Sequence, residues 1–129
     1  MQKGLTMTML PGASPEGEAR RDAALALLRA RRRSIIRECE RAAVLAALDH
    51  GAVTADDVRA VVAIPPGMNP KLVGVVFRDL ADAGILRRDG YRQSRRPAAH
   101  ARPLSVWRLT DAAAAWGWLA ANPSLPIDE

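Results

Sequence analysis

Apolar residues at Leu25, Leu28, Ile35 or Ile36 and Cys39 recur at helical spacing and lead into the almost continuously apolar run Ala42–Leu48. No proline interrupts positions 16–50, and Ala, Leu, Arg and Glu dominate them, so the pattern predicts one long helix or two abutting ones with a break around Arg29–Ser34. Gly51 reads as the stop. Thr54 followed by Asp57 has the arrangement of a capping box and opens a short helix carrying Val58, Val61 and Val62. The prolyl stretch Ile64–Pro70 breaks it. Asn69 as N-cap and Pro70 at the first helical position predict a third helix from Pro70 to Ala83, closed by Gly84. Its apolar stripe is Val73, Val76, Phe77 and Leu80, which leaves Lys71, Gly74, Val75, Arg78 and Asp82 facing outward.

Beyond Gly84 the period changes. The stretches 85–94 and 104–110 have strand composition, and alternation through Ser105–Leu109 puts Trp107 and Leu109 on one face. The segment between them is too long for a tight turn and is bounded by prolines, which predicts a long hairpin loop. Thr110 or Asp111 then caps a last short helix that ends at Asn122 and Pro123. We expect an α+β, mostly helical fold with a disordered start over 1–15, an N-terminal helix over 16–33, a core domain over 34–110, a C-terminal helix over 111–122 and a loose tail over 123–129.

Charge changes this picture from a fold to a surface. The formal net charge is +5, and seventeen of the nineteen basic residues are arginine. Arginine keeps its charge at every accessible pH and presents a planar fork that fits phosphate and guanine edges. Ala- and Arg-rich usage alone is weak evidence, so position decides. Arg87, Arg88, Arg92, Arg95, Arg96, Arg102 and Arg108 crowd the hairpin and its loop with Asp89 as the one acid between them. Like charges at such spacing repel, and they gain from clustering only beside an anion.

The phrases "VTADDVRAVV", "NPKLVGVVFRDLADAGIL" and "VWRLTD" carry a resemblance. Helix, short helix, longer helix and a hairpin with a basic loop, from about Ile36 to Thr110, resembles the winged helix-turn-helix superfamily, in phrasing like that of phage and mobile-element proteins. The long connection Ile64–Pro70 departs from a tight helix-turn-helix turn. The resemblance implies a third helix in the DNA major groove, with Lys71, Gly74, Val75 and Arg78 on it, and a hairpin wing on the backbone or in the minor groove. Wing contacts would then come from the seven arginines with Tyr91, Ser94 and His100, the last adding pH-sensitive affinity beside phosphates.

Other chemistry is sparse. One cysteine and two histidines are too few and too scattered for a zinc site, so no metal or cofactor is expected, and Cys39 reads as a small core residue. There is no glycine-rich phosphate loop and no serine or cysteine beside an evident base, which argues against an enzyme. Nothing approaches a membrane span or a signal peptide, so a cytoplasmic protein is expected. Trp116 and Trp118, two apart, cannot share a helix face, so one points outward. With Leu25, Leu28 and Leu119 they suggest a surface for a homodimer. The expected function is non-catalytic double-stranded DNA binding in transcription regulation or mobile-element replication or recombination. The alternatives are a protein-interaction adaptor, or RNA or single-stranded DNA binding through the arginine-rich wing.

Overall fold

In a computed structural model of the chain, residues 15–95 and 102–126 are described. Arg96, His100 and nearly all of the expected disordered start lie outside them. The described chain is α+β and mostly helical, with four helices and an antiparallel hairpin.

Helix α1 runs unbroken from Pro15 to His50. Pro15 opens the helix instead of belonging to a disordered start, because a first-turn residue needs no N–H partner. The break expected near Arg29–Ser34 is absent, since alanine and arginine are good helix formers and nothing there interrupts the backbone ladder. The anticipated boundary between an N-terminal helix and a core domain therefore falls inside one rod. Gly51, at φ +82°, ends it and donates its N–H to the Ala47 carbonyl at 2.9 Å.

Helix α2 covers Ala55–Val61 behind the capping box: the Asp57 carboxylate accepts the Thr54 N–H at 2.8 Å. Helix α3 covers Leu72–Asp82, two residues shorter at its start than Pro70 suggested. Asn69 is not its N-cap, which is Lys71: Asn69 Oδ1 accepts the Lys71 N–H at 2.9 Å and the Leu72 N–H bonds the Asn69 carbonyl at 3.1 Å, so the turn that Asn69 opens is too tight to be α-helical. At the other end Ile85 N–H reaches Leu80 O and Gly84 N–H reaches Ala81 O, the paired bonds of a Schellman stop. That stop needs a left-handed residue, and Gly84 sits at φ +78°. A Cβ there would meet nothing within 4 Å, so Gly84→Ala isolates the backbone cost. Chemical denaturation is expected to show a loss of about 1–2 kcal/mol.

Strands β1 (Leu86–Gln93) and β2 (Pro103–Leu109) pair with Leu86 opposite Leu109 and Arg88 opposite Trp107. One extra residue on β1 then shifts the register, so that Tyr91 stands opposite Ser105, and Gly90 at φ +90° lies within this bulge. Val53 adds a single reciprocal pair of 2.9 Å hydrogen bonds to Trp107, so β2 is held from both edges. Helix α4 (Ala112–Ala121) starts on Asp111, whose side chain accepts the Ala113 N–H at 3.2 Å.

The core joins these elements. α1 contributes Cys39, Ala43, Val44 and Ala47, and α3 buries Leu72 together with the expected Val73, Val76, Phe77 and Leu80. The Phe77 ring stacks on Trp107 with centroids 5.4 Å apart and planes 7° from parallel, tying α3 to the hairpin. Leu119 is buried and Trp118 half-buried, while Trp116 points outward at 60% exposure.

The tail expected to be loose is held as far as Leu125. Arg41 Nη1 donates to the carbonyls of Leu119 at 3.1 Å and Asn122 at 2.7 Å, Arg37 donates to Pro123 O at 2.9 Å, and Ser34 Oγ to Leu125 O at 3.4 Å. Among the described residues no helix is long and apolar enough to cross a membrane.

Candidate functional site

The hairpin does not display its arginines evenly. Arg87 and Arg108 stand opposite each other, and the bulge brings Asp89 to both: Arg87 Nη1 lies 3.8 Å from its carboxylate and Arg108 Nε donates a hydrogen bond to it. Arg108 Nη1 also donates to Gly51 O at 3.1 Å. These two cations, expected to face a partner, are directed in part to the protein's own acid. The extra residue also leaves Tyr91 on the face of Arg88, whose guanidinium lies 5.1 Å from the Trp107 ring centroid and 5.9 Å from that of Tyr91. Arg92, Arg95 and Arg102 are exposed, and among the described residues no acid pairs with them.

The far end of the hairpin is fastened to α2. Ser94 Oγ and the Arg95 N–H both donate to Asp56 Oδ2, at 2.9 and 3.3 Å, and Ser94 N–H donates to Arg102 O at 2.9 Å. Asp56 lies in the first turn of α2, where the helix dipole favours a carboxylate. Ser94, expected among the contact residues, is instead buried at 6% exposure and positions the strands.

Fastened in this way, the hairpin closes a cleft against the outward side of α3. Its volume is about 580 Å³, and Arg59, Lys71, Gly74, Val75, Arg78 and Arg102 are among the residues lining it. A smaller recess of about 280 Å³ reaches between Gly74, Arg78, Arg88, Phe77 and Trp107. Among the described residues no acidic side chain lines either one. The cleft has cationic walls from three elements over an apolar floor, which suits a polyanion with flat or apolar parts. The helix candidates Lys71, Gly74, Val75 and Arg78 are thus brought together with Arg102, while Arg92 and Tyr91 lie farther along the hairpin beside Pro103. Asp79 and Asp82 are exposed on α3 but do not line the cleft.

The chain matches no family model, no curated protein and no solved structure. Its site is therefore defined by its own geometry.

Two members of that site escape sequence reasoning. Arg59 reads in the sequence only as a cation on a short helix, yet it lies 3.9 Å from Asp56, donates to Pro70 O at 3.4 Å and lines the cleft with Lys71; Asp56 is legible as a helix-start acid but not as the anchor of the hairpin end 38 residues away. Among the described residues no cluster of His, Cys, Asp or Glu is arranged to hold a metal. Cys39 is fully buried, and burial first, with Glu40 adding to it, pushes its thiol up to about 11. It stays protonated at neutral and mildly alkaline pH. Native protein at pH 8 is expected to resist iodoacetamide, and unfolded protein to take up one equivalent per chain, by intact mass.

Proposed function

We propose that the protein is a non-catalytic double-stranded DNA-binding protein of winged-helix type, acting in transcription regulation or in the replication or recombination of a mobile element. In this reading α3 enters the major groove, whose width of about 12 Å admits a helix, and the hairpin is the wing. Arg102, Arg95 and Arg92 meet the phosphates flanking that groove, and Lys71 and Arg78 approach base edges or phosphates from α3. The carrying observation is the acid-free cleft where Arg59, Lys71, Arg78 and Arg102 converge from separate elements. Compositional bias scatters arginines; it does not gather them from α2, α3 and the residue preceding β2 around one cleft. Gly74 supports the same reading, because the space beside it is open within the chain and a side chain there would narrow only the approach of an outside partner.

The test is titration of a labelled random duplex at two salt concentrations. Binding that weakens steeply with salt supports the proposal, and no binding at low salt overturns it. A second reading rests on Tyr91, 65% exposed on the hairpin beside Arg88 and Arg92, as a stacking platform for single-stranded bases. Competition by unlabelled single strand in preference to duplex would select that reading.

A further inference from the structure

We infer that α1 pairs antiparallel with the α1 of a second copy, the projecting leucines of each chain filling an apolar groove on the other. This goes beyond the proposed DNA binding and does not depend on it.

The first buried residue of α1 is Ser34, so residues 15–33 extend about 28 Å along the axis before the core begins. That segment carries Leu25 at 44% and Leu28 at 58% exposure. Before Ser34 none of its side chains is buried against the rest of the chain. At the other end of the same helix lies a groove of about 480 Å³, lined by Ala42, Ala46 and Leu48 with Asp49 and His50 at the helix end, and rimmed by Leu45, Val61 and Trp116. Its rim is 44%, 74% and 60% exposed at those three residues. Leucine knobs and an apolar slot therefore lie on one rod, pointing to a self-complementary, two-fold contact.

The spacing sets the register. Leu25, Leu28, Arg32, Ile35, Ala42 and Ala46 fall on the alternate three- and four-residue spacing of a helix-pairing seam, while Cys39, at the remaining position of that repeat, is turned into the chain's own core. Run antiparallel about Ile35, the seam sets Leu25 against the partner's Ala46 and Leu28 against the partner's Ala42, with Ile35 against itself on the axis. The alanines leave room for the leucines, and Trp116 closes over them. Charge selects the same direction. Residues 15–33 hold Arg20, Arg21, Arg29, Arg31, Arg32 and Arg33 against Glu16, Glu18 and Asp22. Residues 34–50 hold Glu38, Glu40 and Asp49 against Arg41, which is turned to the tail carbonyls, and Arg37, which reaches Pro123 O and pairs with Glu40 at 3.2 Å. Antiparallel pairing lays the basic half on the acidic half, whereas parallel pairing would stack the basic halves together.

Sedimentation equilibrium of the full chain is expected to give a dimer of 13.9 kDa protomers. The double substitution Leu25→Glu and Leu28→Glu, at exposed positions outside the core, is expected to raise the dissociation constant by at least about 100-fold with unchanged helical circular dichroism, because each leucine is lost from both protomers. Ile35→Cys places a thiol on the two-fold axis and is expected to give a disulfide-linked dimer under mild oxidation, while the buried native Cys39 does not crosslink. A wild-type chain that stays monomeric up to its solubility limit overturns the inference, as does a dimer indifferent to the double substitution or one in which Ile35→Cys fails to crosslink.

Discussion

Changing Lys71, Arg78 and Arg102 together to alanine is expected to lower the slope of log affinity against log salt by up to about 2.7, since each phosphate neutralised contributes about 0.9. If wild type and variant converge near molar salt, that slope difference is a loss of roughly 10²–10³-fold in duplex affinity at 0.1 M salt. Fluorescence anisotropy across a salt series measures both quantities. The three side chains are exposed and line the cleft without contributing to the core, so the fold should survive their removal. Single changes divide the effect: Arg102→Ala is expected to weaken all sequences alike, while Lys71→Ala or Arg78→Ala alters which sequences are preferred. An unchanged slope in the triple variant would remove the cleft from the proposed interface.

Phe77→Ala is expected to destabilise the protein by about 3–5 kcal/mol, a large part of the roughly 5–15 kcal/mol that holds a domain together. Phe77 is 2% exposed, and its ring covers Trp107 in the stack that joins α3 to the hairpin. Truncation removes apolar contact and leaves a void that an aromatic neighbour bonded into β2 cannot collapse to fill. Urea unfolding followed by circular dichroism gives the loss. Near-ultraviolet circular dichroism should fade with it, because Trp107 loses its fixed aromatic neighbour. A loss under about 1 kcal/mol would mean that the helix and hairpin are held by other contacts.

Local signals in the chain were the legible ones. The unbroken run of helix formers from Glu16 to His50, the Thr54–Asp57 capping box, the valine and phenylalanine stripe of α3 and the glycine at its end each act within one or two turns of backbone. The outward set Lys71, Gly74, Val75 and Arg78 followed from the same period and is exposed as expected; that it lines a cleft did not follow from the period. What stayed hidden depends on distant partners. Val53 pairs with Trp107 through one residue, too short a strand to show alternation. The β1 bulge decides which arginines meet Asp89, and a one-residue register shift has no signature in a stretch where almost every side chain is polar. Ser94 reads as a surface serine until Asp56 is placed beside it.

The fastening of the tail along α1 also has a consequence for how the chain matures during synthesis. Its acceptors are main-chain carbonyls, so Ser34, Arg37 and Arg41 require that a strand of backbone arrive and ask little of its side chains. That backbone is made late: the bonds join residues 78 to 91 positions apart. Pro123 and Pro126 restrict it in advance, reducing the entropy lost when it docks. Helix α1 is therefore synthesised well before the backbone that sheathes one of its flanks, and that flank is completed only when the later segment docks.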